Sequence, residues 1–229
     1  DINKCRRHIL LFYGYDFPVY SVLDNIENFD GKLTTGFYYV ESDNTFPLRK
    51  NGFYSLSMVE FVLSKRIITL DNIKYQYKPS FTIKSDYFKD FVDYLMNVFN
   101  EQDQKIAVNA LIGMFGRLRN RYIENRPVNN KNVEDFDNAY CSYTRPFINK
   151  INDDVSYITN EKYIDKLENA YPIYAQILDC EAIELYKMVE MLENDNKIPI
   201  CVKTDCVVYY GNMPFNIDNY YWDKEQTIK

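Results

Sequence analysis

Near residue 84 the hydrophobic pattern changes period, and that change restricts the chain to a mixed fold. Up to Ile83, apolar residues come in short runs bounded by turn formers. "GKLTTGFYYVES" places Thr, Tyr and Val between Gly31 and the Ser42-Asp43-Asn44 cluster, and "NIKYQYKPSFTI" repeats the character, so several short strands are expected. In "SDYFKDFVDYLMNVFN", Phe88, Phe91, Val92, Leu95 and Phe99 recur at helical spacing, with Ser85 or Asp86 placed to cap the start. After a polar break at residues 100–104, "KIAVNALIGMFGRLRN" reads as a second helix, antiparallel to the first because the connection is short. Residues 120–170 are polar, Asn-rich and interrupted by Pro127, and yield only a loop or inserted element. "YPIYAQILDCEAIELYKMVEMLEND" then carries Leu178, Ala182, Leu185, Val189 and Leu192 on one helical stripe, and "IPICVKTDCVVYYG" follows as a β-hairpin. The order defines an α+β chain divided at 1–84, 85–125, 126–170 and 171–229.

Composition excludes several classes of function. With 229 residues, 46% apolar and 17% aromatic, the chain can bury a substantial core. A net charge of -6 argues against passive coating of duplex DNA, though not against an enzyme with local basic residues. The five cysteines never form C-x-x-C, which supports neither a disulfide framework nor a zinc site and fits a reducing compartment. His8, the single histidine, cannot build a multi-histidine metal site. No stretch approaches the roughly 18 apolar residues of a membrane span, and no basic-then-apolar leader opens the chain. A soluble intracellular protein without a membrane partner is expected, and the opening "DINKC", lacking Met, suggests part of a longer protein.

Three places hold residues capable of chemistry. In the hairpin, alternation puts Ile200, Val202 and Thr204 on one side and Cys201, Lys203 and Asp205 on the other, with Asp205 at or near a tight turn. A carboxylate there suits a divalent cation, which takes hard oxygen ligands; on spacing alone the Asx turn is the favoured alternative. In the second helix, Lys105, Asn109 and Gly113 follow at i, i+4 and i+8. They offer a cation for phosphates, an amide and a patch of bare backbone; the alternative is a solvated lysine and a glycine that allows close helix packing. "GRLRNRYIENR", with Arg117, Arg119, Arg121 and Arg126, is the densest basic stretch, suited to phosphate contact or to a solvated helix end. Some of the 22 Tyr and 15 Phe could stack on template bases, at roughly 1 to 3 kcal/mol each, but most belong to core and strands.

Order and company give these places a common meaning. "KIAVNALIGMFG" resembles the fingers motif of family B DNA polymerases, K-x3-N-S-x-Y-G, with Lys105, Asn109 and Gly113 at the matching places. "VKTDCVVYYG" is similar to the palm motif D-T-D-S through Thr204 and Asp205, and "DINKC" to the opening of D-x-x-S-L-Y-P through Asp1, Ile2 and Asn3. The resemblance is closest to the protein-primed branch of viruses and linear plasmids, which carries insertions between these motifs. It departs at Lys203 and Cys206 in the hairpin, at Ile112 in place of the fingers tyrosine, and at Lys4-Cys5-Arg6 in place of S-L-Y, which removes the ring expected to exclude a ribose 2′-hydroxyl.

The resemblance implies a palm with an antiparallel sheet and an inserted antiparallel two-helix fingers element. It implies template-directed DNA synthesis on two Mg²⁺ or Mn²⁺ ions roughly 3.5 to 4 Å apart, held by Asp1 and Asp205. Lys105 would neutralise the leaving phosphates, Asn109 would orient the incoming nucleotide, and Lys203 would favour ionised Asp205. Implied partners are primer–template DNA, deoxynucleoside triphosphates and a terminal priming protein at a viral replication site. A proofreading exonuclease would lie upstream and a thumb downstream. Arg6, Ile112, Lys203 and the acidic net charge also fit a rival, a non-catalytic nucleic-acid-binding or scaffold protein.

Overall fold

The structure is a computed structural model that describes residues 5–141, 146–165, 170–203 and 206–211. The elements run α1 (Cys5–Phe12), β1 (Phe17–Val19), β2 (Ile26–Asn28), β3 (Phe37–Val40), β4 (Gly52–Ser55), α2 (Leu56–Ser64), a 3-10 turn (Leu70–Asn72), β5 (Ile73–Tyr77) and β6 (Phe81–Ile83). They continue with α3 (Lys89–Val98), α4 (Glu101–Phe115), β7 (Arg119–Asn129), α5 (Val133–Cys141), β8 (Pro146–Lys150), β9 (Val155–Asp165), α6 (Tyr171–Asn194), β10 (Ile198–Lys203) and β11 (Cys206–Tyr210). Every described strand pair is antiparallel, so the chain is a mixed α+β protein. It forms two compact units, one of Asp1–Gly116 with Ala170–Lys229 and one of Arg117–Asn169.

In the first unit a sheet of order β2-β5-β3-β4 carries α2 and α6. Tyr38 pairs with Tyr54 on one side and Gln76 on the other, and its fully buried ring keeps its hydroxyl satisfied by donating to the Thr34 carbonyl at 2.6 Å. Met58, Val59 and Val62 of α2 close on this sheet, joined by Ala182 and Ile183 of α6. A second cluster collects Cys5, Ile9 and Leu10 of α1, Val92 and Leu95 of α3, Val108 and Ile112 of α4 and Val207 of β11 around Ile173, Ile177, Leu185, Met188 and Leu192 of α6. The long helix thus belongs to two apolar clusters. A single stripe describes only part of it: Ala182, Leu185 and Leu192 are buried, Leu178 and Val189 are half-buried, and Ile173, Ile177, Ile183 and Met188 are buried beyond it.

Two helices interrupt the N-terminal region read as strands. α1 buries residues at i, i+4 and i+5, and α2 buries Met58, Val59 and Val62, which is helical spacing in stretches too short to stand out. α3 starts at Lys89 without a side-chain cap: its cap position is Phe88, and Ser85 and Asp86 stand in the turn before it, where the Ser85 N–H donates to Asp16 Oδ1 at 3.2 Å. α4 starts at Glu101, with Asn100 as its cap, accepting the Asp103 N–H at 3.1 Å, so the supposed polar break is its first turn. Its C-cap is Gly116, where a Cβ would lie 3.1 Å from the Tyr174 ring.

The second unit is a sheet of order β7-β9-β8. β7 and β9 pair in one uninterrupted register from Arg119↔Asp165 to Asn129↔Val155. Pro127 is accommodated because β7 is an edge strand, where a missing N–H need not break the ladder. Phe136 of α5 packs on Val128 and Ile158. The amide of Asn160, 1% exposed, has no hydrogen-bond partner at either polar atom among the described residues.

Candidate functional site

α4 presents Lys105, Asn109 and Gly113 as one exposed row. The row borders the buried flank of Val108 and Ile112, so its backbone is anchored against the core while its side chains face water. The side chains of Lys105 and Asn109 make no hydrogen bond or ion pair with a described residue, and a Cβ on Gly113 would meet nothing within 4 Å. The packing explanation for this glycine therefore fails; close helix packing is the property of Gly116, three residues on. A glycine within an exposed helix costs about 1 kcal/mol relative to alanine, and nothing within the first unit compensates for it. With Asn100 as cap, Lys105 stands in the second turn rather than the first.

Asp1 and Asp205, the two proposed metal ligands, lie outside the described residues, as does Thr204. What surrounds Asp205 in the chain is described: Lys203 and Cys206 are register partners across β10 and β11. The alternation expected along β10 is reset by an irregularity between Pro199 and Cys201. Val202 accordingly pairs with Val207 and Pro199 with Tyr209, while Cys201 pairs with Val208. The hairpin is not buried on both strands: Val207 joins the core, whereas Ile198 and Ile200 are more than 60% exposed. Among the described residues no group of three or more His, Cys, Asp or Glu side chains could hold a metal ion.

Arg117 and Arg119 are exposed in the second unit, as is Arg126; Arg121 is placed by its backbone opposite Tyr163 in β9. Arg119 and Arg126 already engage other groups of the protein. β7 begins at Arg119, so Arg119, Arg121 and Arg126 belong to an edge strand instead of a helix end.

Two departures from the polymerase pattern have structural roles. Ile112 is fully buried in the cluster around α6. Arg6 donates from Nε and Nη2 to both carboxylate oxygens of Glu181, at 3.0 and 3.2 Å. Further polar contacts line α6. Tyr13 donates to Glu184 at 3.1 Å, and its hydroxyl is pushed well above the usual phenol range by burial, Cys180 and Glu184. Gln176 Nε2 donates to the Asp16 carbonyl at 3.3 Å. Asp179 Oδ2 accepts the Ser55 N–H at 2.6 Å, and burial raises its carboxyl to about 6 against the opposing pull of Ser55 and Arg49. Sequence reasoning took α6 as a simple apolar stripe; the signal missed was Gln176, Asp179, Glu181 and Glu184 standing within it.

No family model, no curated protein and no solved structure matches this chain.

Proposed function

We propose that the chain is the palm and fingers portion of a family B DNA polymerase of the protein-primed kind, with α3 and α4 as the fingers pair. The observation that carries this reading is the row of Lys105, Asn109 and Gly113, exposed, unpaired among the described residues and open above the glycine. Lys105 meets the triphosphate, Asn109 orients the nucleotide, and Gly113 admits its flat part close to the helix. Asp1 and Asp205 are the proposed acidic pair. Mg²⁺ or Mn²⁺, when held by them, supplies activation of the primer hydroxyl and neutralisation of the phosphates. Primer–template DNA, deoxynucleoside triphosphates and a terminal priming protein are the proposed partners, and Arg117, Arg119 and Arg121 are proposed contacts to the nucleic acid. A viral replication site is the proposed setting.

A palm-and-fingers portion alone is expected to be inactive or nearly so, and the test is primer extension with Mg²⁺ by the full-length parent polymerase carrying Asp205→Asn or Lys105→Ala. Loss of extension with folding retained is expected, and extension at the unmodified rate by Asp205→Asn refutes the assignment. A second reading, a non-catalytic nucleic-acid-binding or scaffold protein, is favoured by Arg6 and Ile112, since both sit where the resembled motifs carry tyrosine and both serve the interior. It predicts DNA binding that survives Asp205→Asn and no extension by the unmodified full-length parent.

A further inference from the structure

α1 has only eight residues, yet it packs against both α6 and α4. Its apolar contribution is small: Cys5, Ile9 and Leu10 are its buried side chains. Apolar contacts of so short a helix tolerate sliding and rotation, because dispersion and burial are not directional. Its polar contacts are directional. Arg6 forks onto Glu181 of α6 with both carboxylate oxygens engaged, and the Glu181 side chain is only 7% exposed. The adjacent Arg7 reaches the other way, its Nη1 standing 2.9 Å from Met96 Sδ on α3. Consecutive arginines thus tie α1 to the long helix on one side and to the α3–α4 pair on the other. The ties are unequal: a bidentate guanidinium–carboxylate fork is strong and fixes orientation, while a thioether is a weak acceptor.

Buried ion pairs add little net stability over well-packed apolar residues of similar volume, and their best use is to fix register. The two bonds to Glu181 restrict the axial and rotational setting of α1, because the planar fork must meet both carboxylate oxygens. Cys5 and Ile9 of that helix lie in the same cluster as Val108 and Ile112, the buried flank beside Lys105 and Asn109.

We propose that Arg6 and Glu181 are positioning residues for the nucleotide-binding face of α4, acting by holding α1 in the setting against which α4 packs. This rests on the reading of Lys105, Asn109 and Gly113 as a nucleotide site. The fork transmits geometry and touches no substrate.

The experiment measures dATP affinity by calorimetry in Mg²⁺ buffer, together with thermal unfolding, for the unmodified chain, Lys105→Ala, Arg6→Lys and the double variant Arg6→Met/Glu181→Leu. The double variant replaces the pair with apolar volume and is expected to melt at or above the unmodified temperature while losing at least about tenfold in dATP affinity. Arg6→Lys keeps the charge but not the fork; it is expected to fold and to bind dATP less tightly, and it carries the test should the double variant fail to fold. Unchanged dATP affinity in whichever of these variants folds overturns the positioning role. If Lys105→Ala weakens binding while the Arg6 variants do not, this inference alone falls. If the unmodified chain does not bind dATP, or Lys105→Ala binds it equally well, the nucleotide site falls and this role with it.

Discussion

Replacing Asp179 with asparagine should make the protein more stable at neutral pH, and the size of the effect follows from where the carboxyl sits. Asp179 lies on α6 against the start of α2, with its Oδ2 accepting the Ser55 N–H at 2.6 Å. The residue as a whole is half-buried, but its carboxyl group is desolvated, and burial lifts its pKa from 3.8 to about 6. In the unfolded chain the same group ionises near the ordinary aspartate value. Between the two values the unfolded state has released the proton while the folded state still holds it, so folding loses stability as pH rises from about 4 to about 6 and then levels off. The gap of about two units corresponds to at most about 3 kcal/mol, at about 1.36 kcal/mol per unit. Asparagine is neutral throughout, and its Oδ1 can still accept from Ser55. Urea unfolding followed by circular dichroism at pH 4 and pH 7 isolates this group when the variant is compared with the unmodified chain at each pH. Asp179→Asn should gain relative to the unmodified chain by up to about 3 kcal/mol between the two pH values. A difference that is independent of pH, or that favours the unmodified chain at pH 7, refutes the reasoning.

Gly113→Ala should raise unfolding stability by about 1 kcal/mol, since the added methyl meets no protein atom, while weakening dATP binding; improved stability with unaltered binding would remove the reason proposed for the glycine. Gly116→Ala, at the C-cap, should act in the opposite sense, lowering the melting temperature because its Cβ would press 3.1 Å from the Tyr174 ring. Asn100→Ala should cost about 1 kcal/mol by removing the acceptor for the Asp103 N–H, measurable by urea unfolding. Asn160→Leu should leave stability unchanged or raise it by about 1 kcal/mol, because the amide it removes is buried without a partner among the described residues; a loss of more than about 2 kcal/mol would show that the amide is satisfied in solution.

The mixed class, the α3–α4 pair, the bounds of α6 and the hairpin strands β10 and β11 were legible because each rests on a period sustained over many residues or on a short connection. What escaped the sequence has physical causes. α1 and α2 are two turns long, so their helical spacing repeats too few times to outweigh β-like neighbours. The cap expected for α3 failed because the helix starts at Lys89, after a turn that holds Ser85 and Asp86, and that turn is tied to Asp16, sixty-nine residues from Ser85 in sequence, a long-range contact no local rule contains. Residues 119–165 hid a long antiparallel ribbon because Pro127 and the asparagines read as breakers, and edge position, which makes the proline tolerable, is a property of the assembled sheet. Of the site, the row on α4 was legible from spacing, whereas the open space over Gly113, the role of Gly116 and the Arg6–Glu181 fork are tertiary facts.

The service of α6 to two clusters governs how the protein can be made. Neither the sheet under α2 nor the assembly of α1, α3 and α4 can complete its interior until the segment ending at Asn194 has left the ribosome. The nascent chain must therefore carry its early strands with apolar faces uncovered until α6 emerges. Translation speed and chaperone supply, more than native stability, should set the yield of folded protein.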